Sequence, residues 1–158
     1  MATWVAAPDL IQVRGVMRSL VPSGRVRVHF KKLTDSQRGR VVRELLKLPL
    51  SCTVVRVRGL PDPSARGVAL RTVFAQAEAQ RAEVVVIETD EPSREADLAI
   101  ARGAFGSVRH LRHFEEPILW VSDAIAWCLQ RGGRWPTSVA PLIRADHFVE
   151  GRKPGMRP

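Results

Sequence analysis

Two acidic residues have neighbours that a merely solvated carboxylate does not need. Glu88 closes the run Val84-Val85-Val86-Ile87, four apolar residues rich in β-branching that read as a strand buried on both faces in the middle of a sheet. A carboxylate at the C-terminal end of such a strand is placed where open α/β sheets put their ligand sites. Asp123 falls inside Ile118 to Arg131, where Ile118, Leu119, Trp120, Val121, Ala124, Ile125, Trp127, Cys128 and Leu129 cover nearly the whole helical circumference. A buried carboxylate there needs a metal, an arginine or hydrogen bonds, and the residue types leave these alternatives open. Oxygen ligands of this kind suit Mg²⁺ or Mn²⁺, and two such ions can clamp an in-line phosphoryl displacement. Glu88 and Asp123 are thus the catalytic candidates, and Glu88, Asp123 and Asp90 the candidate metal ligands. Asp90 and Glu91 also have a plain structural reading, as acids at the start of the next helix.

The cations are as uneven as the acids are sparse. The chain has 25 Lys and Arg against 16 Asp and Glu, a formal net charge of +9. Residues 1–58 contain 12 Lys or Arg against 3 acids, and residues 59–158 contain 13 against 13, so the excess sits in the first third. Such asymmetry points to a polyanion partner, through field steering and counterion release. Ordinary solubility of an Arg-rich chain is the competing explanation. The segment Arg25-Val26-Arg27-Val28-His29-Phe30 alternates basic and apolar residues, the pattern of a half-buried strand, with Lys31 and Lys32 beside it. Ser51 to Gly59 alternates more clearly, with Arg56 and Arg58 opposite Thr53, Val55 and Val57. Arg25, Arg27, Lys31, Lys32, Arg56 and Arg58 are the candidate nucleic-acid contacts.

The elements that must position these groups are largely marked by their ends. Thr3 to Ala7 reads as a short strand, and Pro8-Asp9 opens a helix with Leu10, Val13, Val16, Met17 and Leu20 on one stripe. Thr34-Asp35-Ser36-Gln37 has capping-box spacing ahead of a helix with Val41, Val42, Leu45 and Leu46 on its apolar face. Asp62-Pro63 starts a helix running to about Gln80 through Leu70, Val73, Phe74 and Ala77. A helix from about Pro92 stops at Gly103, and Gly106 to Phe114 is a further strand. On that strand His110 and His113 fall on opposite faces, poor co-ligands for one metal. Pro117 starts the last long helix and Gly132-Gly133 ends it; a short helix follows Trp135-Pro136. Glu150 to Pro158 is basic, rich in Gly and Pro, and expected to be disordered.

At 158 residues the chain suits one domain over 1–148 with a basic tail over 149–158, and needs no disulfide staples. Cys52 and Cys128 form no CxxC pair and have no His at zinc-finger spacing, so both read as reduced thiols. The absence of a long apolar stretch and of a signal-peptide layout predicts a cytoplasmic protein with no membrane partner. GxGxxG, P-loop and GxSxG motifs are missing, which removes the usual nucleotide-binding and α/β-hydrolase signatures.

His29-Phe30-Lys31-Lys32, then Val86-Ile87-Glu88, then Glu115-Glu116-Pro117-Ile118-Leu119-Trp120-Val121-Ser122-Asp123-Ala124-Ile125-Ala126-Trp127 resemble, in that order, a group of uncharacterised bacterial proteins common in actinobacteria. That group is predicted to have the ribonuclease H-like fold. The last segment is the most specific, and the likeness covers about Trp4 to Leu142. It implies an α/β fold with a five-stranded mixed sheet flanked by helices, and an acidic cluster binding Mg²⁺. Glu88 would match the acid of the fourth strand and Asp123 that of the C-terminal helix. Members open with a strand ending in an Asp-Glu-Ser-like motif that carries the first metal-binding aspartate, and nothing here matches it. The expectation is a chain that starts upstream of Met1, or a shortened copy without that strand. Three functions follow: a Mg²⁺-dependent nuclease, a catalytically inactive nucleic-acid-binding or regulatory module, or a module whose basic face meets an acidic protein.

Overall fold

The computed structural model describes residues 1–151. Disorder was expected from Glu150 on; Glu150 instead closes a strand, and residues 152–158 lie outside the described residues. The chain is α/β. In order it forms β1 (Ala2–Val5), α1 (Leu10–Ser19), α2 (Asp35–Leu45), β2 (Leu50–Arg58), α3 (Asp62–Ala79) and β3 (Val85–Glu88). Next come α4 (Arg94–Arg102), β4 (Val108–Leu111), α5 (Ile118–Arg131), α6 (Trp135–Val139) and β5 (Ile143–Glu150). Within the stretch read as one domain there are two compact units, Met1–Thr53 with Arg112–Ala145, and Val54–Leu111 with the described residues from Asp146 to Gly151.

The first unit is built on α5. Pro117 precedes the helix and Gly132, at φ 75°, ends it. Trp120, Val121, Ala124, Ile125 and Cys128 are buried, and α5 packs against α1, α6, β1 and the 3₁₀ turn Phe30–Lys32. Val13 and Met17 of α1 and Val41, Val42 and Leu45 of α2 complete this core. The Thr34–Gln37 capping box is present: the Gln37 amide donates to Thr34 Oγ1 at 3.3 Å and the Thr34 amide to Gln37 Oε1 at 2.9 Å. Leu46 falls beyond the helix end and is largely exposed, so it leaves the apolar face expected to hold it. β1 pairs antiparallel with β2, Thr3 opposite Cys52.

In the second unit β3 and β4 pair in parallel, with Ile87 opposite His110. A parallel pair needs a crossover, and α4 supplies it. α4 packs on α3 and on β4. At the close of β2, Gly59 sits at φ 78°, and a Cβ there would lie 2.6 Å from the Gly151 carbonyl oxygen. Any side chain would push the two segments apart.

The strands divide as β1-β2-β5 and β3-β4 rather than forming one five-stranded sheet. The run 84–88 is therefore not a central strand: β3 has β4 as its strand neighbour, Val85 and Ile87 are buried, and Val84 is 41% exposed. A short β-branched run is equally at home on two strands beneath a helix.

The segment 25–30 is not a strand either. Val28 and Phe30 are buried at 1% and 0%, but Val26 is 78% exposed. The carbonyls of Phe30 and Lys31, which a neighbouring strand would engage, accept from Arg38 instead.

β5 was not expected. Ile143, Ala145, His147 and Val149 alternate with exposed residues, but the exposed set includes Phe148, which breaks the apolar/polar rhythm.

Candidate nucleic-acid interface

Four cations stand on the segment 25–32 of the first unit. Gly24, at φ 72°, turns the chain into it. Val28 and Phe30 pin the segment to the core, and the Phe30 ring meets Trp127 edge-on at 5.3 Å and Trp135 at 6.4 Å. The turn closes through Lys32 N–H to the His29 carbonyl at 2.9 Å and Leu33 N–H to the Phe30 carbonyl at 3.2 Å. With the apolar side chains committed inward, Arg25, Lys31 and Lys32 are exposed and Arg27 half-buried. Among the described residues no carboxylate lies within ion-pair distance of these four. Burial, then the charge of Arg27, hold the His29 imidazole below the ordinary histidine range against the pull of Asp123, with Lys32 and Arg25 adding to the depression. His29 Nδ1 is buried and has no hydrogen-bond partner.

The other two candidate cations, in the second unit, are engaged. Arg56 makes a forked pair with Asp146 (Nε to Oδ1 3.0 Å, Nη2 to Oδ2 3.0 Å), and the Arg58 guanidinium lies 5.6 Å from the Phe148 ring centroid. Arg56 thus brings little net charge to an anion.

The candidate metal ligands belong to both units. Glu88, at the end of β3, and Asp90, which accepts from the Ser93 hydroxyl at 2.6 Å, are exposed in the second unit. Asp123 belongs to the first, and it is exposed rather than buried. Leu119, Asp123, Ala126 and Gln130 share one strip of α5 that no element covers completely, so the carboxylate is hydrated and needs no compensating ion. The half-buried Leu119 and Ala126 on that strip made the helix look apolar all round. Among the described residues no group of three His, Cys, Asp or Glu is placed to hold a metal ion.

The buried charges lie elsewhere. Asp97 of α4, 1% exposed, takes a forked pair from Arg66 of α3 (Nε to Oδ1 2.8 Å, Nη2 to Oδ2 2.6 Å). Burial alone would raise this carboxyl; the Arg66 hydrogen bonds and charge, helped by His110, outweigh it and hold Asp97 below its ordinary value. His110 Nε2 is 3.5 Å from Asp97 Oδ2, too far for a good hydrogen bond. Glu116, just ahead of Pro117 and α5, is buried and forked by Arg14, with Nη2 at 2.6 Å. In sequence both acids sit at a helix start, where the ordinary explanation masks a buried pair. Burial pushes the Cys52 and Cys128 thiols up to about 11, so both are unreactive thiols near neutral pH.

No family model matches the chain, and neither a curated protein nor a solved structure does. No helix among the described residues is long and apolar enough to cross a membrane.

Proposed function

We propose that this chain is a nucleic-acid-binding module that engages the phosphate backbone through Arg25, Arg27, Lys31 and Lys32. The observation that carries this reading is that those four cations have no carboxylate at ion-pair distance among the described residues, on a segment whose apolar side chains are fixed in the core. Cations held in place lose little freedom on meeting a phosphate. Backbone contacts of this kind are independent of sequence, so the reading is one of low-specificity binding. From the ribonuclease H-like resemblance we keep the partner class and not the reaction. Asp123 is exposed rather than buried, and among the described residues no group of three His, Cys, Asp or Glu is placed to hold a metal ion. An acidic protein would also meet the cations, but it would show no counterion-release slope of the nucleic-acid kind.

Reversing Lys31 and Lys32 together to Glu is the direct test. Both side chains are exposed, so folding stability should change by no more than about 0.5 kcal/mol per substitution. Binding to a single-stranded or duplex oligonucleotide should weaken for every sequence tried, with the salt slope reduced by about two. Unchanged affinity in this variant would remove these lysines from the interface.

A further inference from the structure

We infer that Arg38 is the positioning residue of the phosphate-binding segment, and that it acts through its fork rather than its charge. This rests on the nucleic-acid reading above. Arg38 lies on α2, its side chain only 14% exposed, and every edge of its guanidinium is used. Nε donates to the Phe30 carbonyl at 3.1 Å and Nη2 to the Lys31 carbonyl at 2.7 Å. Nη1 donates to Asp35 Oδ1 at 2.6 Å, and the plane stacks on Trp127 with its carbon 4.4 Å from the ring centroid. One side chain therefore ties two consecutive carbonyls of the segment to α2 and to an aromatic residue of α5. Lys31, whose carbonyl is held, and Lys32 after it are two of the cations proposed to meet phosphate. Asp35 already answers the Arg38 charge, so a direct phosphate contact would have to displace that pair. A planar guanidinium can donate in several directions while stacking; an ammonium cannot.

The test compares wild type with Arg38→Lys, which keeps the charge and removes the fork. Melting curves should confirm that the variant is folded. Two quantities are then measured: amide hydrogen exchange at Lys32 and Leu33, and affinity for a fluorescent single-stranded oligonucleotide at low salt. Exchange should rise by at least about tenfold, as expected when charge-assisted bonds holding a local turn are lost. Affinity should fall as far in Arg38→Lys as in Arg38→Ala. Unchanged exchange in Arg38→Lys would overturn the positioning role. Faster exchange with wild-type affinity would break the link between the clamp and binding. If wild type itself fails to bind while exchange responds, the clamp exists but the nucleic-acid reading, and the role proposed on it, is wrong.

Discussion

Arg66→Ala is expected to cost about 3–5 kcal/mol of folding stability at neutral pH, the scale of leaving one member of a buried ion pair unpaired. Asp97 is 1% exposed and both its oxygens are bonded to Arg66, so removing the guanidinium strands a carboxylate out of water. The nearby His110 nitrogen, at 3.5 Å, does not replace the lost bonds. The pH dependence follows from the direction of the Asp97 shift. In the wild type its folded value lies below the ordinary 3.8, so the pair's contribution is present above that value and is lost as pH falls through the folded one. In the variant the carboxyl is buried without its partner, and protonation relieves it. The stability gap between wild type and variant should therefore begin to narrow on acidification above the ordinary value of 3.8, as the variant's carboxyl protonates, and go on narrowing below it, as the wild type loses its pair. Urea titrations of both proteins at neutral and acidic pH measure it. A neutral-pH loss under about 1 kcal/mol, or a gap that does not change with pH, would show that water reaches Asp97 freely.

Phe30→Ala should cost a similar amount, about 3–5 kcal/mol, because a fully buried aromatic leaves a cavity that its neighbours fill only in part. Phe30 is 0% exposed and packs edge-on against Trp127 and Trp135. Val26→Ala, four residues earlier, should stay within about 0.5 kcal/mol of wild type, since Val26 is 78% exposed. The contrast separates a strand, in which Val26, Val28 and Phe30 would share one buried face, from a segment anchored at two points. Comparable losses at 26 and 30 would favour the strand. Phe30→Ala should also weaken nucleic-acid binding although Phe30 itself is out of reach of a ligand, because the lysines lose their mount.

Helix ends were legible because local chemistry sets them. Pro117 and Gly132 bracket α5, Thr34 and Gln37 begin α2, and Gly103 follows α4. The alternation of Ser51 to Gly59 gave β2 because its polar positions are Arg56 and Arg58, which are exposed. The segment 25–30 alternates as well, yet alternation says nothing about whether a partner strand exists. Here α2 supplies Arg38 to its carbonyls in place of a strand. Asp123 misled for a related reason. A helical wheel shows that apolar residues flank it, not that another element covers them. The cations of the candidate interface were readable as an excess of charge. What holds them was not, since Arg38, in the first turn of an amphipathic helix, looks like any solvated residue until its two carbonyl partners, in the turn ahead of the helix, are known. The pairing of Arg66 with Asp97 is hidden in the same way, since the two lie 31 positions apart in the chain.

The binding claim is tested most directly by the affinity of the wild-type chain for an unstructured oligonucleotide as a function of salt. With four cations on phosphate, raising monovalent salt from about 50 to about 200 mM should lower affinity roughly 50-fold for a single strand and about 150-fold for duplex DNA, linearly on a double-logarithmic plot. The slope should be the same for unrelated sequences. An affinity that changes less than about threefold over that range, or no binding at its lower end, would contradict the account.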